Sequence, residues 1–161
     1  MNIFYLHDSP IVSAKAMTNK HVVKMILETA QLLSTAHHVL DDTLSPFRDV
    51  LYKKTHQNHP SAIWVRESHE NYEWTYEHFV ALCDEYTNRY GKIHATEKKL
   101  KDKLYHLPLN IPLKKRTPIK LAITNKEYHL SNPIDSYRTY YTHEKLHNDI
   151  DTQRYHAVLG V

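Results

Sequence analysis

Apolar residues between Lys20 and Leu40 recur at helical spacing. Placed 100° apart, Val22, Val23, Ile26, Leu27, Ala30 and Leu33 fill one broad arc, the expected core face. His21, Lys24, Glu28, Gln31 and Thr35 fall within about 80° of one another on the other side. Met25 and Leu32 lie at the border between the two arcs. Thr18 or Asn19 is the expected N-cap. A shorter helix precedes this one, from Pro10 to about Ala16, because Ser9 caps and Pro suits the first helical position. Met1 to Leu6 is a short apolar segment, extended or irregular.

Beyond Leu40 the pattern loses its period until about Ser61, with Ser45-Pro46 and Asn58-His59-Pro60 as punctuation. Helical spacing returns from about Ser61 to Tyr90, with Ser68 as a possible second N-cap and Gly91 where a left-handed C-terminal cap belongs. Thr96 starts another helix, which ends before Pro108. Residues 107–133 hold four prolines and read as an extended arm, with room for a short strand at Ile119 to Ile123. Asn132-Pro133 starts a last helix through about His147. The tail to Val161 is left without an assignment. The fold class expected is all-α: a compact helical bundle, one domain over residues 1–161, with an irregular proline-rich arm.

Composition narrows the chemistry. Two glycines, Gly91 and Gly160, allow neither a GxGxxG turn nor a phosphate-binding loop. There is no GxSxG elbow. The single cysteine, Cys83, forms no intramolecular disulfide and no four-cysteine zinc site. No apolar run reaches the ~18 residues that span a bilayer, and His7 and Asp8 interrupt the N-terminus where a signal peptide needs an apolar core. Cytoplasm is the compartment expected, with no membrane partner. A net charge of +3, with fourteen histidines in reserve, fits a phosphate-bearing partner. Twelve tyrosines against three phenylalanines fit a wet surface that stacks on flat groups, and equally the edge of a small core.

Three groups carry candidate chemistry. The polar stripe holds His21, Lys24 and Glu28 together, a carboxylate beside two potential cations, suited to acid–base or electrostatic work. It is expected to face a cleft formed with the Ser61–Tyr90 helix. A plain solvated face with a Lys24–Glu28 pair is the competing reading. The second group runs from His56 and His59 through Trp64, Arg66, Asn71 and Trp74. Rings for stacking, Arg for phosphate and Asn for base edges suit a nucleotide, although both tryptophans also suit a core. His56 and His59 lack a third ligand at metal spacing, so neither metal nor cofactor is expected. Third, Arg89 and Lys92 lead into the cluster Lys98, Lys99, Lys101 and Lys103, and Lys114-Lys115-Arg116 sits in the arm, where basic clusters contact phosphates.

The stretches Asn19–Glu28, Thr55–Pro60 with Trp64–Tyr72, and Glu85–Lys92, and loosely Tyr137–Tyr141, resemble a family of small uncharacterised proteins encoded by tailed phages, notably marine ones. The layout is also similar, more distantly, to the phage pyrimidine-dimer glycosylase/AP lyase of the endonuclease V type. That resemblance implies a compact helical domain whose free N-terminal amine is the nucleophile, followed by a helix carrying a His and, seven residues on, the catalytic Glu. His21 and Glu28 have that spacing, and Met1 stands where the amine belongs. Leu27 and Thr29 flank Glu28 where that family has arginines, and Asn2 disfavours removal of Met1.

The function expected is nucleic-acid processing in a phage context: base excision by a glycosylase/AP lyase on damaged or modified pyrimidines. Met1, Glu28 and His21 would serve the chemistry, with Lys24 a lesser candidate for the attacking amine. The alternative is a non-enzymatic protein that binds nucleic acid or nucleotide, or blocks a host factor. A metal-dependent hydrolase would need three or more His, Asp or Glu side chains converging. Oligomeric state has no signature in the chain.

Overall fold

The computed structural model describes residues 1–161 and contains no strand. Seven α-helices follow in order: α1 (Pro10–Lys15), α2 (Asn19–Leu40), α3 (Pro60–Glu67), α4 (His69–Tyr90), α5 (Ala95–Leu104), α6 (Pro133–Glu144) and α7 (Asp149–Leu159). The architecture is all-α. Caps explain most boundaries. The side chains of Ser9, Thr18, Ser68 and Asn132 each accept a backbone N–H at a helix start, and Pro occupies the first turn of α1, α3 and α6. Gly91 and Gly160 close α4 and α7 at φ of 69°, a left-handed conformation open to glycine without strain.

α2 is the central helix, packed against α3, α4 and α5. Its buried face is turned by about 80° from the arc with the most apolar residues. Val23 and Leu27 are exposed, whereas Met25, Leu32, Thr29 and Thr35 are buried. The cause is tertiary. The N-terminal segment and α6 cover the His21 side of α2, so the helix is enclosed on more than one flank and apolar arc alone does not set its orientation.

Residues 107–133 are extended but not loose. His69 donates its backbone N–H to Pro112 O, and its ring Nδ1 accepts from Lys114 N. Glu70 accepts from Arg116 N, and Asn71 Oδ1 from Thr117 N. The start of α4 thus grips successive arm residues, giving backbone groups partners that a sheet would otherwise supply. The expected strand at Ile119 to Ile123 is absent, although Ile119 and Ile123 are buried. The helix expected to run to His147 stops at Glu144, and α7 follows it. Asp151 anchors α7 by accepting from Asn19 N at 3.0 Å while pairing with Arg154 at 2.8 Å. One cluster of buried apolar side chains extends from Ile3 to Tyr155. No helix is long and apolar enough to cross a membrane.

Candidate active site at the N-terminus

Phe4 adopts φ of 54°, uncommon for a residue with a Cβ. Asn2 holds this turn: its Oδ1 accepts from Phe4 N at 2.9 Å, and its Nδ2 donates to Ala122 O at 3.0 Å. The turn lays the Phe4 ring on His21, with centroids 4.6 Å apart, and directs the chain start over α2. As a result the Met1 amine lies 3.6 Å from Glu28 Oε1, while Lys24 Nζ lies 3.9 Å from Oε2. Glu28 is largely shielded, its side chain 16% exposed.

These groups line a depression of about 210 Å³, closed by Ala122 from the arm and by Tyr140 and Lys145 at the end of α6. It is smaller than the 300–1,000 Å³ typical of drug-sized sites. The cleft therefore forms between α2, the N-terminal segment, the arm and α6, not with the Ser61–Tyr90 helices as the sequence suggested. Lys145 had no signal in the sequence, and Tyr140 had none that tied it to Glu28.

His21 is buried and neutral. Loss of solvent, helped by Lys145, Lys24 and Lys20, lowers its pKa to about 4. The Tyr141 hydroxyl accepts from Thr18 N at 2.9 Å and lies 2.8 Å from His21 Nδ1. Its own hydrogen has no other acceptor, so it goes to Nδ1 and leaves the ring proton on Nε2. A neutral ring has no positive charge to offer a phosphate. His59 sits nearer the site than its sequence position implies. Partial burial lowers its pKa, and the Met1 amine and His56 act in the same direction against Glu28. Its Nδ1 caps α3 by accepting from Ser61 N.

The second candidate group has other work. Trp64 and Asn71 are fully buried and Trp74 is 4% exposed, so no ring face is free to stack on a base. Trp64 Nε1 donates to Thr117 O, and Trp74 Nε1 to Asp8 O at 2.7 Å. Asn71 Nδ2 donates to Trp64 O and Thr117 Oγ1, both at 2.8 Å. Arg66 braces the preceding loop through Gln57 O at 2.7 Å. Arg89 closes the α1–α2 junction through Met17 O, Asn19 Oδ1 and Lys15 O. Arg116 is held by Asp8. His56 is exposed and hydrogen-bonds Thr55 rather than His59. No group of three His, Cys, Asp or Glu side chains converges to hold a metal. Lys92, Lys114 and Lys115 are exposed.

Larger furrows run along the exposed face of α4. They are lined by Glu73, Glu77, Asp84 and Glu85, a charge that repels phosphates. The depression at the chain start differs in bringing an amine and a shielded carboxylate together among lysines. A family model described as pyrimidine dimer DNA glycosylase matches residues 1–99, which include the Met1 amine, His21, Lys24 and Glu28. The chain belongs to the pyrimidine dimer DNA glycosylase family. No curated protein and no solved structure shows significant similarity to it. The glycosylase match stops before the arm, α6 and α7, so Ala122, Tyr140 and Lys145 enter the site from outside the matched segment.

Proposed function

We propose that the protein excises a damaged or modified pyrimidine from DNA and then cleaves the resulting abasic strand, using the Met1 α-amine as nucleophile. The 3.6 Å approach of that amine to Glu28 Oε1, inside a depression too small for a base pair, carries this reading. Family membership supports DNA as the substrate and a glycosylase-like role.

The amine attacks C1′ of the target nucleotide while the C1′–N bond breaks and its electron pair leaves with the base. The attack uses the amine in its neutral form, with its lone pair free to form the C–N bond. Once bonded to C1′ the nitrogen loses a proton to water; the C1′–O4′ bond then breaks, O4′ takes up a proton, and an iminium is left between the Met1 nitrogen and C1′. Glu28 then offsets the positive charge on the iminium carbon and on the ring-opened sugar. Elimination follows: water takes a proton from C2′, the C3′–O bond breaks and its electron pair leaves with the phosphate, and water then hydrolyses the iminium to free the amine. His21 acts as a positioning residue, neutral and fixed by Tyr141, holding Phe4 and through it the turn that presents the amine. The target nucleotide must leave the duplex to reach this depression.

Borohydride trapping tests the reading. Protein incubated with DNA containing one abasic site or one pyrimidine dimer should yield a covalent adduct, mapped by mass spectrometry to the N-terminal residue. An extra residue placed before Met1 should abolish it. An adduct on an internal lysine such as Lys24 would reassign the nucleophile, and no adduct on either DNA would end the excision reading.

A further inference from the structure

Lys145 is a cation without an anionic partner. It ends α6, half-buried, and no carboxylate approaches its Nζ within ion-pair distance. Its Nζ instead stands 5.5 Å from the Tyr140 ring centre and 6.0 Å from that of Phe4, the ring stacked on His21. Such cation–π contacts hold an ammonium in place without neutralising it. The ammonium overlooks the depression that contains Glu28 and the Met1 amine, and after burial it is the strongest influence lowering the His21 pKa.

Lys24, whose side chain is 63% exposed, lines the same depression. The two lysines come from different parts of the chain, one inside the family match and one beyond it. A cation left unpaired at the mouth of a carboxylate-bearing pocket invites an anion from solution. Glu28 itself faces the amine and Lys24, so Lys145 is not needed to neutralise it.

We propose that Lys145 binds a backbone phosphate flanking the nucleotide whose sugar enters the depression, forming with Lys24 a two-sided phosphate clamp. The inference rests on the excision reading for which nucleotide is held, but phosphate binding has its own readout. The C-terminal third thereby becomes part of the substrate site and sets how the strand lies across the amine.

The test uses full-length protein and a duplex oligonucleotide with one abasic site, with binding measured by fluorescence anisotropy over a series of salt concentrations. Lys145→Gln should weaken binding about tenfold. It should also reduce the slope of log affinity against log salt by about one, the signature of one lost phosphate contact. The melting temperature should match wild type, and Lys145→Arg should restore both affinity and slope. An unchanged slope in Lys145→Gln overturns the proposal. So does a lowered melting temperature accompanying the loss of affinity, which would make Lys145 a brace for Phe4. Wild-type protein that binds but forms no adduct ends the excision reading while the slope still judges Lys145. Wild-type protein that does not bind this DNA overturns both.

Discussion

Two polar and aromatic clusters look alike as lists of residue types and differ in what they have left to offer. Around Trp64, Asn71 and Trp74 the ring nitrogens and the amide are already bound to Thr117, Trp64 O and Asp8 O. At Met1, Lys24, Glu28 and Lys145 the charges face one another at 3.6 Å and 3.9 Å, or face no opposite charge at all. The first cluster has spent its hydrogen-bonding capacity on holding the arm. The second keeps an amine, a carboxylate and two cations available. Residue type states a capacity, and partner counts state whether that capacity is free.

The sharpest way to break this contrast is Glu28→Gln. The swap keeps size and hydrogen bonding and removes the charge, so trapped adduct and strand cleavage should fall ~10²–10⁴-fold. DNA affinity and melting temperature should stay close to wild type, because Gln keeps the shape of the side chain and Lys24, one of its two partners, is well exposed. Adduct formation at the wild-type rate in this variant would show that Glu28 takes no part.

Asn71→Ala is the opposite experiment. It strands the buried Trp64 carbonyl and the Thr117 N–H, while the Thr117 hydroxyl keeps its bond to Glu67. Leaving such groups without partners costs about 1–3 kcal/mol for each that water cannot reach, so a loss of about 3 kcal/mol in urea-unfolding stability is expected. Trapped yield per folded molecule should not change. A selective loss of DNA binding with stability intact would return Asn71 to the substrate.

Acid reaches both regions. Burial lowers His21, His37 and His78 to about 4, against an ordinary value near 6.5. Between those values the unfolded chain binds protons that the folded chain refuses. Stability is therefore complete above about pH 6.5 and declines as pH falls toward 4, by about 1.4 kcal/mol per pH unit for each histidine. Urea midpoints measured from pH 7 to pH 4.5 should fall steadily, and a flat profile would show that these rings take up protons within the fold.

Much of this architecture is written in local signals. Ser9, Thr18, Ser68, Asn132 and Gly91 mark helix ends because a cap is satisfied within a few residues. α7 had such signals as well: Asn148 accepts from Asp151 N and Gly160 follows its last turn. Its weak apolar stripe concealed it. That His21 and Glu28 line one depression was legible as a stripe, and the amine as a partner of Glu28 through the family resemblance. The rotation of α2, the grip of α4 on the arm and the arrival of Tyr140 and Lys145 were not. Each depends on contacts between residues more than forty positions apart, where spacing along the chain carries no signal.

Lys115 offers the finest test of the contrast, through an effect that should be nearly absent. By sequence it belongs to a basic run in a proline-rich arm, an expected phosphate contact. In the fold its neighbours around a furrow of about 500 Å³ are Glu70, Glu73 and Glu77, with Arg116 the only other cation. A phosphate placed there meets more negative than positive charge within a Debye length of about 8 Å at physiological salt. Lys115→Gln should therefore change affinity for abasic DNA less than about twofold and leave the salt slope near its wild-type value. Lys24→Gln, at the depression, should lower that slope by about one. If the two variants exchange behaviour, the strand crosses the arm furrow rather than the Met1–Glu28 depression. The free charges at the chain start would then belong to something other than DNA.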